Sequence, residues 1–190
     1  MTTIAIDKDL TIASDSQVTT GDRRELFPAD KLFEIAGYRV GVCGRYTEAL
    51  AFVDTLIDIL ERERVQQTTH VPIPQAVADR FDNFNALVIT PDGEILCYEG
   101  SEFCMPVQAP VAVGSGADYA MAAMVCGKTA DEAVEVAMQF DVFSGGDVQA
   151  LSVPEPEVEM SREDYSKLTK QELLDIVCGE EDNEQREDEH

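Results

Sequence analysis

The 190 residues suffice for one domain with some to spare, and 38 acidic side chains against 14 basic ones leave a formal charge of −24. Phosphate recognition depends on clustered Lys and Arg, so this balance excludes nucleic acid and an anionic membrane as main partners. With 44% hydrophobic residues the chain can still bury a sizeable core, and its acidity does not imply wholesale disorder.

In chain order, residues 2–6 and 10–14 read as β-branched strands joined by the Asp7-Lys8-Asp9 turn, a hairpin at the very start. Residues 31–35 and 38–43 flank Ala36-Gly37 and predict a second hairpin, with glycine available for a positive-φ turn position. Over residues 47–64 the apolar Leu50, Val53, Leu56, Ile57 and Leu60 recur at three- and four-residue intervals, the spacing of one buried helix face. A shorter, proline-bounded helix is expected near residues 75–84. Residues 86–90 and 94–98, separated by Pro91-Asp92-Gly93, predict a third hairpin. Extended chain over 102–107 and 110–113 leads to Gly114-Ser115-Gly116. A small, apolar helix follows over 117–126, and Thr129 with Glu132 is a capping box opening another through Phe140. A last strand, 148–153, ends at Pro154-Glu155-Pro156.

Composition shifts at that break, because residues 155–190 hold 14 acidic and 4 basic side chains, a net −10. The expected organisation is a domain over 1–153 and an acidic C-terminal extension over 154–190. Within the extension, Leu168 to Leu173 combine a Thr/Glu capping box with leucines placed for a hydrophobic staple, which predicts a short helix over about 169–177. After Gly179 the chain is almost wholly charged or polar and is expected to be disordered. Antiparallel strands alternating with pairs of helices predict an α+β fold, with sheets sandwiched between helical layers, and argue against a doubly wound parallel sheet.

The five cysteines (Cys43, Cys97, Cys104, Cys126, Cys178) are odd in number and lack a C-x-x-C pair, which fits neither a disulfide framework nor a zinc site. A reducing cytoplasm is the expected location. The start lacks a basic n-region and an apolar h-region, and no stretch stays apolar long enough to span a bilayer. The expected mature N terminus is therefore the encoded one, minus Met1. Only His70 and His190 are histidines, and no nucleophile elbow accompanies them, so a histidine triad is set aside. Glu61-Arg62-Glu63-Arg64 reads as a solvated helix end, and Cys43 as a small core residue.

Thr2 would carry a free α-amine beside its hydroxyl once Met1 is removed. A threonine hydroxyl is a poor nucleophile until a base takes its proton, and an α-amine with a pKa near ~8 is better suited to neutral pH than a lysine. Read alone, Thr2 is an ordinary strand residue behind an initiator methionine. Its company singles it out: Ala13-Ser14-Asp15-Ser16 at the end of the second strand, Lys31 opening the third, and Gly41-Val42-Cys43-Gly44 before the long helix. Gly114-Ser115-Gly116 opens another helix, and Asp141-Val142-Phe143-Ser144-Gly145-Gly146 precedes the final strand. In this order, over roughly residues 2–153, these pieces resemble the β subunits of the proteasome and the related bacterial HslV peptidase, N-terminal nucleophile hydrolases.

The resemblance implies a four-layer αββα sandwich with two antiparallel sheets between helical layers. It implies Thr2 as nucleophile with its own amine as base, Lys31 as the active-site lysine, and Asp15 as the aspartate that holds it. It also implies the Gly44 N–H as oxyanion donor, and Ser115, Asp141 and Ser144 around the terminal amine. Thr19 and Gly21 would lie on the strand that pairs with an extended peptide, while Val18, Ala29, Phe33, Val42 and Tyr46 would line the first specificity pocket. Core packing accounts for those five side chains equally well.

Arg45 and Tyr46 stand where the family usually has small residues, and their bulk either narrows substrate access or closes the site. The implied activity is a threonine endopeptidase acting on peptides or unfolded proteins inside a homo-oligomeric ring or stacked rings, with no metal and no cofactor. An ATP-dependent unfoldase or other gating partner would feed it, since the chain carries no Gly-x-x-x-x-Gly-Lys-Ser/Thr loop of its own. The alternatives are an inactive proteasome-like assembly or partner-binding protein, for which Arg45, Tyr46 and the acidic tail speak, and an amidase acting on a small molecule.

Overall fold

The computed structural model describes residues 2–21, 23–64, 83–99 and 105–152. All of them lie in the first of the two units into which the chain divides, Met1–Val153. The expected helix over 169–177, the end after Gly179 expected to be disordered, and all but the last two residues of the expected helix near 75–84 lie outside the described residues.

The first unit holds eleven described strands, every pairing among them antiparallel. A four-stranded sheet has the order β10-β1-β2-β11, built from β1 (Thr3–Ile6), β2 (Ile12–Asp15), β10 (Val111–Gly114) and β11 (Val148–Leu151). A five-stranded sheet runs in sequence order through β5 (Leu32–Ile35), β6 (Tyr38–Gly44), β7 (Phe84–Ile89), β8 (Ile95–Glu99) and β9 (Met105–Val107). Between them in sequence lies a two-stranded ribbon of β3 (Gln17–Thr20) and β4 (Arg23–Pro28). The described helices are α1 (Tyr46–Arg64), α2 (Ala117–Val125) and α3 (Ala130–Phe140).

The period of two in β1 and β2 assigns opposite faces to different residue sizes. Ile4, Ile6 and Ile12 turn to one side, where they join Leu87, Ile89 and Ile95 of the five-stranded sheet in one core. Ala5 and Ala13 turn to the other and meet Ala120, Ala123, Ala130, Ala133 and Ala137 of α2 and α3. Small side chains on both surfaces let those helices lie close to the sheet. A third core forms between α1 and β6–β8, where Phe52 sits with ring centroids 4.8 Å from Phe84 and 5.1 Å from Tyr98.

The capping box expected for α3 is present, with the Thr129 N–H donated to Glu132 at 3.3 Å. Asp7 adds a long-range brace. One of its carboxylate oxygens accepts the Asp9 and Thr11 N–H groups within its own turn, each at 3.0 Å, and the other accepts the Ala130 N–H at 2.9 Å. This satisfies a donor at the start of α3 that no residue within the helix can reach.

Two features depart from the sequence reading. The β3–β4 ribbon was not expected as a hairpin, because Thr-Gly-Asp-Arg-Arg carries no alternating apolar pattern and most of β4 is exposed. Phe84 begins β7 and does not end a helix, because its ring belongs to the α1 core. The Ala36-Gly37 turn forms as expected, with both residues at positive φ (51° and 83°).

Phe52 is buried at the centre of its aromatic cluster. Phe52→Ala is expected to lower the unfolding free energy by about 3–5 kcal/mol, measured by chemical denaturation; a loss under about 1 kcal/mol would show that α1 does not depend on this contact.

Candidate active site

Strand geometry gathers the implied site residues from six stretches of chain. Thr2 lies just before β1, Asp15 ends β2, and Lys31 immediately precedes β5. Gly44 ends β6, Ser115 follows β10, and Asp141 and Ser144 follow α3. β1 is hydrogen-bonded to both β2 and β10, with Thr3 opposite Gly114. The chain start is thus held between the end of β10 and the Asp15 side chain.

Lys31 is the junction. Its Nζ donates to the Thr2 hydroxyl, to Asp15 Oδ1 at 3.0 Å and to the Gln17 carbonyl at 2.8 Å, and the side chain is only 5% exposed. Burial pulls the Lys31 pKa below its ordinary 10.5, with Asp15 opposing that shift through charge and hydrogen bonding. Asp15 is wholly buried and fully engaged. Besides Lys31 it accepts the Thr3 N–H at 3.0 Å, the Gln17 N–H at 3.1 Å and the Gly145 N–H at 3.0 Å. One carboxylate therefore joins β1, the β2–β3 junction, the lysine and the loop before β11.

A second cluster holds the carbonyl of Thr2. The Ser115 N–H donates to the Thr2 carbonyl at 2.8 Å, with its hydroxyl 3.5 Å from the same oxygen. The Ser115 and Ser144 hydroxyls both donate to Asp141 Oδ2, at 2.6 and 2.7 Å. Burial pushes the Asp141 carboxyl up, but these two hydroxyls and the Phe143 N–H outweigh it and hold the group below the usual aspartate value. Gly114 is required by this closeness: at φ +98°, a side chain there would strike the Thr2 carbonyl.

A cleft of about 470 Å³ opens above Thr2 and Lys31. Val18, Thr19, Gly21, Val42, Gly44 and Tyr46 line it. Ala29 and Phe33 do not: Ala29 is buried with its N–H on the Ser16 carbonyl at 3.0 Å, and Phe33 packs against the α1 core. Arg45 and Tyr46 stand at the wall and leave the cleft open. Gly44 has φ +104°, and a side chain there would come within 2.7 Å of the Phe84 Cα and strike the Asn83 carbonyl. Contact with β7 is thus a second reason for glycine at this position. Cys43 also lines the cleft, but burial pushes its thiol up to about 12, so it stays protonated at neutral pH.

Sequence reading missed three contributors. The Thr3 hydroxyl lies 2.7 Å from the Ser144 hydroxyl while its N–H is on Asp15, so it ties the lysine side of the site to the Asp141 side. Gln17 supplies a carbonyl to Lys31 and donates through its side chain to Thr19 at 3.0 Å and to the Val142 carbonyl at 3.2 Å. Gln149, on β11, accepts the Lys31 N–H at 3.1 Å and donates to Asp30 at 3.1 Å. Nothing in the local sequence marks these residues, since each acts through partners distant in the chain. No group of metal-ligating side chains occurs among the described residues, and no described helix is long and apolar enough to cross a membrane.

Comparison with known proteins bears on this geometry. No family model matches the sequence, and no curated protein matches it. Among solved structures, eukaryotic HslV from Trypanosoma brucei is similar at 25% identity, covering 80% of this chain and 100% of that one with a TM-score of 0.62. BPH from Thiobacillus denitrificans is similar in fold at 19% identity, covering 80% of this chain and 97% of its own with a TM-score of 0.59. The same protein in complex with epoxomicin matches at 19% identity, 80% and 98% coverage and a TM-score of 0.57.

Removing Asp15 leaves the Lys31 ammonium and three N–H groups without their acceptor. Asp15→Ala is expected to cost about 3–5 kcal/mol of stability in equilibrium denaturation; a variant as stable as the parent would refute the role of this carboxylate as the organising acceptor.

Proposed function

With the HslV/proteasome-like N-terminal nucleophile fold as premise, we propose that this chain is a threonine endopeptidase whose nucleophile is Thr2. The observation that carries the reading is the buried Lys31 ammonium, in contact with the Thr2 hydroxyl, the Asp15 carboxylate and the Gln17 carbonyl beneath an open cleft. A cation there stabilises a developing alkoxide, and an alkoxide-forming hydroxyl at the base of a cleft is what acyl transfer needs.

The reading requires that Met1 be removed, so that Thr2 carries a free amine. The amine takes the hydroxyl proton as Thr2 Oγ1 bonds to the scissile carbonyl carbon, and the oxyanion is met by the Gly44 N–H, a kind of donor worth roughly 3 kcal/mol in the transition state. The amine then returns the proton to the departing nitrogen as the C–N bond breaks, leaving an ester on Thr2. Water, deprotonated by the same amine, attacks the ester; the carboxylic acid leaves and the hydroxyl regains its proton. Ser115, Asp141 and Ser144 fix the Thr2 carbonyl and thereby the direction of the amine. Thr19 and Gly21 pair with an extended peptide, and Val18, Val42 and Tyr46 face its side chains.

The same reading completes the architecture as a four-layer αββα sandwich, since the three cores separate α1, the five-stranded sheet, the four-stranded sheet and α2–α3 in turn. An indiscriminate peptidase is safe only if folded proteins cannot reach it, so the reading includes a closed ring or stacked rings, fed by an ATP-dependent unfoldase or other gate. A cytoplasmic location accords with Cys43 and Cys126 being free thiols.

The first test is covalent labelling. A β-lactone or peptide vinyl sulfone is expected to modify the native chain at residue 2 and to leave Thr2→Ala unmodified, as read by intact mass and peptide mapping. Equal labelling of both, or a native chain that retains Met1, overturns the reading.

The second test is pH. The amine must be neutral, so the labelling rate rises as pH passes its pKa, ordinarily near ~8. Lys31 must be charged, and since burial lowers its pKa, the rate falls again before pH reaches 10.5. A rate still climbing at that pH would exclude a charged Lys31 from the mechanism.

A further inference from the structure

The chain carries 38 acidic side chains, yet no aspartate or glutamate among the described residues lines the Thr2 cleft. Two cations line it, Lys31 and Arg45. Lys31 is committed at the floor to Thr2, Asp15 and Gln17. Arg45 stands in a different state. It follows Gly44 at the cleft wall, its side chain is 62% exposed, and Glu48 is its only ion-pair partner among the described residues.

That partner orients Arg45 without enclosing it. Arg45 Nη1 donates to Glu48 Oε1 at 2.6 Å, while Glu48 Oε2 accepts the Asn83 N–H at 3.0 Å. Glu48 is thus anchored on the first turn of α1 and grips one nitrogen of the guanidinium. It does not itself line the cleft, so a ligand lying there meets the cation before the carboxylate. A guanidinium has five N–H donors in a fixed plane, and a single-nitrogen contact leaves the remaining edges for a second carboxylate. The remaining lining is made of Gln17, Cys43, threonines, glycines and apolar side chains, none of which carries a charge at neutral pH.

We propose that Arg45 gives this cleft a preference for peptides that carry an acidic side chain near the bond to be cut, a preference that rests on the endopeptidase reading. The apolar wall of Val18, Val42 and Tyr46 receives one side chain of the peptide, and Arg45 selects among peptides by a neighbouring one.

The test uses the full chain and pairs of peptides of identical sequence, one with Glu and one with Gln, scanned across the positions flanking the cleaved bond. Binding of dye-labelled peptides to Thr2→Ala, followed by fluorescence anisotropy, reads recognition without turnover; competitive cleavage by the native chain reads the ratio of kcat/KM. At one position or more, Glu is expected to be favoured about fivefold, the upper range for an exposed charge pair. The ratio should shrink as salt rises. It should fall to about one in Arg45→Gln, invert in Arg45→Glu, and persist in part in Arg45→Lys, which keeps the charge and controls for folding.

Equal binding of both peptides, binding of neither, or a preference unchanged in Arg45→Gln overturns the proposal. The two readings fail separately: selective binding by a native chain that cuts neither peptide supports recognition and defeats the peptidase, whereas cleavage of both at equal rates defeats the recognition alone.

Discussion

A lysine ammonium out of water is costly unless its hydrogen bonds are made and its charge is met, and the arrangement around Lys31 satisfies both conditions. Its carboxylate partner, Asp15, also receives N–H groups from Thr3, Gln17 and Gly145. The same few oxygen lone pairs therefore neutralise a charge and set where the chain start, the β2–β3 junction and the loop before β11 lie relative to one another. Placement of the Thr2 hydroxyl is a by-product of solving that electrostatic problem. Any rearrangement that moved the hydroxyl away would also have to leave a buried charge or a buried N–H unmet.

The packing around this junction divides labour by residue size. Isoleucines on one face of β1 and β2 fill the core shared with the five-stranded sheet, while alanines on the other face meet the alanines of α2 and α3. Bulk gives the first contact its hydrophobic weight, and smallness gives the second its closeness. The elements that present the site are thus fixed from both sides, while the cleft itself is walled by the end of β6, the start of α1 and the ribbon strand β3.

Much of this was legible in the sequence where local chemistry decides. The hairpin turns, the 3.6-residue period of α1 and the capping box of α3 all depend on residues within a few positions of one another, and they lie where their patterns put them. The ribbon β3–β4 was not legible, because its exposed strands are held by pairing and not by burial, and so leave no apolar rhythm. Site residues with special chemistry, such as Lys31 and Asp15, could be singled out by type and order. Thr3 and Gln149 could not, since a threonine in a strand and a glutamine in a strand look the same whether or not their partners lie more than a hundred residues away. The glycines show an intermediate case: Gly44 was singled out through the resemblance, as an oxyanion donor, but the partner it approaches within the chain, β7, was visible only in three dimensions.

The links to Thr2 and Thr3 have a temporal side. The Thr2 carbonyl is held from position 115, and the Thr3 hydroxyl from position 144, sequence separations of 113 and 141 residues. Synthesis proceeds from the N terminus, so these two residues are made well before the neighbours that hold them. A nascent chain on the ribosome holds Thr2 and Thr3 long before it holds the serines and the aspartate that fix them. The fold thereby delays assembly of the Thr2 cluster until nearly the whole domain has emerged.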